Sequence, residues 1–288
     1  MSEEVFRLSI FLVVLVAVAS LEWLFPKRPW RESRTKRWGI NLGIIGINVV
    51  VQRLTLGAAA VLIALHVQAE GWGLLNLVDW PIWLKLLAGF LILDLAIYLQ
   101  HIMSHALPFF WRLHKVHHAD LDLDVTSGLR FHPLEIIISV IYKVAVVAAF
   151  GIDPVAVLLF EAVLNASAMF THGNIRIPGK LDTFLRYLIC TPDMHRVHHS
   201  IHPREANSNF GFFLSIWDRF LGTMQHAPKD GHLGVTLGLR ELQKTKDVTL
   251  GKLLLLPFSN QSQGYSFGPE IRKVNEQGAG TQSTGEKV

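Results

Sequence analysis

Long apolar runs restrict this chain more than any other feature, because a stretch of about twenty apolar residues can do little except cross or line a bilayer. The first runs from Leu8 to Phe25, interrupted only by Ser9, Ser20 and Glu22, and Pro26 closes it. The second spans Ile40 to Val67, broken by Gln52 and Arg53, and the third opens at Trp80-Pro81 and reaches Leu99. Two shorter runs, Leu134 to Phe150 and Val155 to Phe170, flank the turn Gly151-Ile152-Asp153-Pro154 and read as a hairpin. Only 17% of the 288 residues are charged, against about a quarter in soluble domains. The first run follows Ser2-Glu3-Glu4 and lacks a small-residue cleavage pattern, so it is expected to be an anchor rather than a secretory signal.

Lysine and arginine then set the expected orientation. Residues 26–39 hold Lys27, Arg28, Arg31, Arg34, Lys36 and Arg37, whereas 67–80 holds no Lys or Arg. The positive-inside rule puts the first loop in the cytoplasm and the second outside. The third helix then returns to the cytoplasmic side, and the hairpin begins and ends there. The expected fold is an all-α integral membrane bundle of about four membrane-embedded helical units, the hairpin counted as one, under a cytoplasmic histidine-rich cap. Residues 1–80 form the N-terminal transmembrane part with its basic loop, and 81–228 the histidine-bearing unit. Residues 229–258 are expected to be an interfacial segment and 259–288 a disordered tail. Leu181–Ile189 and Phe210–Phe220 read as interfacial helices, and Leu250–Phe258 as a surface contact.

The chain has 14 histidines and one cysteine, Cys190. One cysteine excludes a disulfide scaffold, a Cys-rich zinc module and a four-cysteine iron–sulfur cluster within the chain. Eight of the histidines fall in the two windows 101–118 and 195–199, where even spreading would put about one. They read His101-Ile-Met-Ser-His105, His114-Lys-Val-His117-His118 and His195-Arg-Val-His198-His199. Helical neighbours at i, i+3 and i+4 share a face, so each group is expected to aim its imidazoles one way. A single histidine is more often solvated or in the core, but three face-matched groups at one membrane surface read as metal ligands. His172, at the end of the hairpin, returns to the same surface as a ninth candidate.

Nine imidazoles exceed the needs of one ion, so two ions fit better. Imidazole suits iron, zinc, copper and nickel alike. Ligating histidines usually donate their other N–H to an acceptor, often a carboxylate. His132, Asp94, Tyr98 and Asp193 are the candidates for further ligands or for such supporting partners. Asp120, Asp122 and Asp124 read as an exposed acidic loop, and His66, His202, His226 and His232 as structural or exposed. Arg53, Asp94 and Glu161 are the charges expected deep in the helices.

The order HxxxH, HxxHH, HxxHH on an apolar scaffold resembles the fatty acid hydroxylase/sterol desaturase superfamily. So do Trp111–His118 running into Arg130-Phe-His132-Pro-Leu-Glu135, Thr191–Ser200, Asn209-Phe-Gly211 and Ile216-Trp-Asp-Arg-Phe-Leu-Gly-Thr223. The resemblance covers about residues 85–225, and His172 matches a histidine of relatives such as alkylglycerol monooxygenase. It implies a non-haem di-iron enzyme that uses O2 to hydroxylate, or desaturate, a lipid C–H bond. The lipid would be a fatty acyl chain, a sterol or an ether lipid. No nucleotide-binding fingerprint is present and no flavin or haem domain fits. Electrons are therefore expected from a separate ferredoxin or cytochrome b5-like protein with its reductase. Arg112, Lys115, Arg196 and Arg204 offer a basic docking patch. Nucleic acid is not an expected partner, and the expected location is a bacterial inner membrane. Two rivals are a histidine-rich metal-handling or transport protein and a bis-histidine haem protein. The first needs polar residues through the bilayer; the second needs only single facing histidines.

Overall fold

The computed structural model describes residues 3–259, which are helical throughout apart from loops and three isolated β-bridges. Of the expected tail, Ser259 is described and residues 260–288 lie outside. Helix α1 spans Glu3–Leu24 and α2 Arg34–Thr55. Gly57, with φ of 46°, breaks the second apolar run, so α3 starts afresh at Ala59–Ala69. Helix α4 is Ile82–Ala106, and Pro108 in the first turn of α5, Pro108–His118, forces the extended backbone of Leu107 between them. Helix α6 is Pro133–Phe150 and ends on left-handed Gly151. Helix α7, Pro154–His172, starts at Asp153, whose carboxylate accepts from the Val155 N–H. Two short helices follow, α8 (Gly179–Leu185) and α9 (Pro192–His198).

Among the described residues, five stretches are long and apolar enough to cross a membrane: Val5–Leu24, Arg34–Asn76, Ile82–Ala106, Pro133–Phe150 and Pro154–His172. The hairpin helices, at 18 and 19 residues, each reach about 27–28 Å and count separately. The protein is thus an integral membrane protein. A core of Leu75, Val147, Ile152, Ala156 and Phe160 packs α3, α4, α6 and α7 together toward the hairpin turn. Gly89 is required there, since a Cβ would lie 2.9 Å from Ile152. The C-terminal end of α4, the start of α6 and the ends of α1 and α7 meet at the opposite end. Glu22 Oε1 ties them by accepting from the backbone N–H of Val125 (2.8 Å) and Asn174 (3.1 Å).

Asp120, Asp122 and Asp124 are buried, not an exposed acidic loop. They fold around Arg37, whose guanidinium bonds both oxygens of Asp120 (2.8 and 2.9 Å) and Asp124 (2.7 Å). Burial alone would raise the Asp120 pKa, but Arg37 and Arg130 outweigh it and hold the carboxyl well below its usual range. The basic loop is tied down in the same way. Lys27 pairs with Asp193 at 2.6 Å, Arg34 with Glu22 at 2.8 Å, and Asp122 accepts from the backbone of Arg31 and Glu32. Sequence displays these charges without their partners, which lie 12 to 166 residues away. One deep charge was overlooked: Lys143 on α6 pairs with Glu161 of α7, which also pairs with Arg7 of α1. In the C-terminal segment, Leu253 and Leu256 are buried against Ile44, Trp111 and Val116, while Leu255 and Phe258 stay exposed.

Removing one member of a buried ion cluster strands the others. Arg37→Met is expected to lower stability by about 3–5 kcal/mol, read as a fall in the unfolding midpoint in detergent. The Asp120 contribution is complete above its unfolded pKa of about 3.9 and is lost as pH falls below that toward the folded value. The wild-type midpoint should therefore show no loss from this group between pH 7 and pH 5.

Candidate metal centre

The chain delivers nine histidines to the end where α4, α6 and α7 meet. His101 and His105 lie one turn apart on the last turns of α4, and Pro108 folds α5 back so that His114, His117 and His118 face them. His172 ends α7, and α9 carries His195 and His198, with His199 as its C-cap. All nine are buried.

They form two groups rather than one. His101, His105, His114, His118 and His198 make the first; His117, His172, His195 and His199 make the second. Within each, one nitrogen per ring lies within 4.8 Å of all the others. The two HxxHH segments therefore do not aim all their rings one way. On α5 the i and i+4 histidines, His114 and His118, join the first group, and His117 joins the second. On α9 the pattern is inverted: His195 and His199 join the second group and His198 the first. At about 100° per residue, the i+4 position falls on one side of residue i and i+3 on the other, so each motif fans across two centres. The rings of His118 and His199, stacked at 4.4 Å, mark where the groups adjoin.

The spacing suits metal ions. In the second group Nε2 of His172 lies 3.1 Å from those of His117 and His199 and 3.0 Å from that of His195. His195 and His199 are 3.2 Å apart by the same atoms. Imidazole nitrogens about 2.0–2.1 Å from a common ion lie about 3.0–3.4 Å from one another, the range observed. In the first group the Nε2 atoms of His101 and His114 are 3.1 Å apart, and those of His105, His118 and His198 are buried with no protein partner. Lone pairs crowded in this way repel one another unless a proton or cation sits between them.

Other protein groups hold the rings by their far nitrogens. His101 Nδ1 donates to the Phe210 carbonyl (2.7 Å), His198 Nδ1 to the Ser208 carbonyl (2.8 Å) and His172 Nδ1 to the Ala168 carbonyl (2.7 Å). His105 Nδ1 faces Asn207 Oδ1 at 3.2 Å, and His114 Nδ1 donates to Glu135 at 2.7 Å. A carbonyl only accepts, so these bonds put the proton on Nδ1 and leave the Nε2 lone pair facing the group. Burial, then the neighbouring histidines, push His117, His118, His195, His198 and His199 well below the usual imidazole pKa. The neutral ring is the ligating form. Trp111, Phe131 and Phe210 wall the groups, with Phe131 stacked on His117 at 4.5 Å.

The other candidates stand elsewhere. His132 caps α6: its Nδ1 accepts from the Leu134 N–H, and its Nε2 donates to the Leu254 carbonyl at 3.2 Å. Asp94 accepts from Trp217 Nε1 at 2.7 Å, and the Tyr98 hydroxyl bonds Thr223 Oγ1 at 2.7 Å. Asp193 pairs with Lys27 and Arg196. The seven-residue spacing that aligned Asp94 with His101 also puts it about 10 Å further down α4, out of reach of the rings. Arg196 and Lys115 are buried and cannot form a docking patch, which leaves Arg112 and Arg204 at the surface. Sequence reasoning missed the supporting partners Glu135, Asn207, Ser208 and Phe210. Glu135 and Phe210 stood in the recognised Arg130–Glu135 and Asn209–Gly211 strings; Asn207 and Ser208 carried no spacing signal.

A family model described as Fatty acid hydroxylase matches residues 86–223. An ornithine lipid hydroxylase of Rhizobium tropici is 30% identical over 199 residues, covering 68% of this chain and 57% of that protein. An alkylglycerol monooxygenase of Caenorhabditis elegans is 28% identical, covering 66% of this chain and 37% of that one. A cholesterol 25-hydroxylase of Rattus norvegicus is 25% identical over 144 residues, covering 50% and 47%. The chain thus spans between about a third and three-fifths of these relatives. No solved structure matches it.

The capping role of His132 separates it from the nine. His132→Asn, which keeps a capping acceptor, is expected to leave the unfolding midpoint near wild type. His132→Ala should cost about 1 kcal/mol in the same thermal scan.

Proposed function

We propose that the protein, whose residues 86–223 match the fatty acid hydroxylase family model, is a membrane-bound non-haem di-iron oxygenase that hydroxylates a lipid C–H bond with O2. The observation that carries this reading is the pair of adjoining, buried, all-histidine groups at the end of a membrane bundle. The relatives' names favour hydroxylation over desaturation, since they are hydroxylases and monooxygenases. Their substrates also suggest a lipid, such as a fatty acyl chain, a sterol or an ether lipid.

In this reading His101, His105, His114, His118 and His198 hold one ion and His117, His172, His195 and His199 the other. Bound iron would supply activation of O2 and the oxidising power that an unactivated C–H bond requires. The rest is done by the chain. The carbonyls of Phe210, Ser208 and Ala168 and the Glu135 carboxylate hold rings in one orientation and one tautomer. The aromatic walls exclude water, and a lipid reaches the site laterally from the bilayer. Electrons come from a separate ferredoxin or cytochrome b5-like protein with its reductase. The basic residues of 26–39 support a cytoplasmic site in a bacterial inner membrane, since the rule counts Lys and Arg and not net charge. Residues 81–228 serve as the catalytic unit, with 1–80 as its membrane anchor and 229–258 as a cover.

Gently purified protein is expected to hold two irons per chain, and cells lacking the protein to accumulate the unhydroxylated lipid. His118→Ala and His198→Ala should each abolish activity. Absence of transition metal, or full activity in either variant, overturns the reading. Glu135→Gln should weaken metal binding about 10–100-fold in a chelator competition while leaving all nine rings in place.

A further inference from the structure

Residues 210–223 dip along α4 toward the far side of the membrane and come back, and a contact marks each depth. At the histidine end, the Phe210 carbonyl bonds His101. Thr223 bonds Tyr98, and Trp217 bonds Asp94 at 2.7 Å. Lowest of all, the Phe213 ring packs edge-on against Phe90 at 5.8 Å, and Phe90 in turn packs against Phe160 of α7. Eleven residues separate His101 from Phe90 on α4, which is about 16 Å of helix. That is about half the hydrocarbon thickness of a bilayer.

Non-helical backbone survives at such depth only if its polar groups are met within the protein. Here they are. Cys190 N–H donates to the Phe213 carbonyl and Ser215 N–H to the Leu188 carbonyl, so that 188–190 and 213–215 pair as a two-stranded strip. Asp218 accepts from the N–H groups of Phe210 and Gly211 and from Thr223 Oγ1. The Ser215 hydroxyl and Arg219 both donate to the Arg186 carbonyl. The outward side of the same strip is apolar: Phe184 is 70% exposed, Phe220 is 82% exposed, and Tyr187, Leu188 and Leu221 are exposed as well. The Arg219 guanidinium lies over the Tyr187 ring at 4.9 Å, an arrangement suited to an apolar stem with its charge turned toward headgroups.

We propose that residues 184–190 and 210–221 form a re-entrant element sunk into the leaflet on the histidine side, with Phe184, Tyr187, Leu188, Phe220 and Leu221 in contact with lipid acyl chains. Asp94 is its anchor on α4, which accounts for a carboxylate in a membrane helix that meets no histidine. The occupant of the apolar face is lipid because the strip that carries it is fixed at Phe90 and Asp94 to α4, a helix long and apolar enough to cross the bilayer. This element goes deeper than an interfacial helix. It depends on α4 crossing the bilayer and not on any metal.

The test uses the full chain reconstituted in phosphatidylethanolamine/phosphatidylglycerol vesicles. Phe184→Cys and Phe220→Cys are labelled with a nitroxide; buried Cys190 should take no label in the wild type. Both labels are expected to collide more with O2 than with a water-soluble nickel chelate. A label at Lys244→Cys, on the exposed cap, should show the reverse. Trp217→Phe, which removes the bond to Asp94, should raise chelate access at position 220. Chelate access at 184 or 220 equal to that at 244 overturns the proposal. A measurement on the wild-type chain needs no substitution. Photo-crosslinking from an acyl-chain diazirine lipid should mark peptides 181–188 and 213–221, and their absence among the products overturns it as well.

Discussion

Nine buried imidazoles gathered in two groups, with one nitrogen of each ring within 4.8 Å of the others in its group, are the constraint around which the described chain is arranged. Protonated rings at that distance would repel strongly in a medium of low dielectric, so the arrangement demands burial. Burial in turn demands that every far nitrogen find an acceptor or lose hydrogen-bonding energy. Much of the architecture at this end answers those two demands. Phe131 and Trp111 cover the rings, and the 207–210 run supplies an acceptor to three histidines of the first group. The second group is less well supported: Nδ1 of His117, His195 and His199 has no protein partner.

A second layer of charge carries this arrangement. The loop between α5 and α6 leaves the membrane end beside the histidines and is held closed by Arg37 against Asp120 and Asp124. The loop between α1 and α2 is clamped to α9 by Lys27 and Asp193. The Arg37 pairs are buried and the Lys27–Asp193 pair partly so, and desolvating them is costly, so they contribute more to fixing loop paths than to net stability. The loops they fix run between the helices that carry the histidines.

Much of this was legible before folding. The apolar runs indicated membrane helices, and the histidine spacing singled out eight of the nine grouped residues, with His172 added from the hairpin topology. The sequence reading failed where partners are remote. His132 stood as either a ligand or a supporting partner by position, yet it caps α6, because a histidine preceding Pro133 meets the free N–H groups of the first turn. Asp94 looked like a histidine partner by helical face, yet its partner is Trp217, 123 residues away. The three aspartates alternate as exposed residues often do, but the guanidinium of Arg37 draws them inward.

Local spacing by itself determined that three histidine segments lie on helices, that those helices are joined to membrane spans and that imidazole rather than thiolate is the ligand chemistry on offer. The helical turn is a local property, so residues i, i+3 and i+4 are neighbours in any fold that keeps the helix. Only the tertiary structure decided how the nine divide into five and four, and which carbonyl or carboxylate orients each ring. That division depends on how α4, α5, α7 and α9 are rotated about their axes when they pack. Rotation is set by side chains scattered over the whole chain, and no single stretch of sequence encodes it.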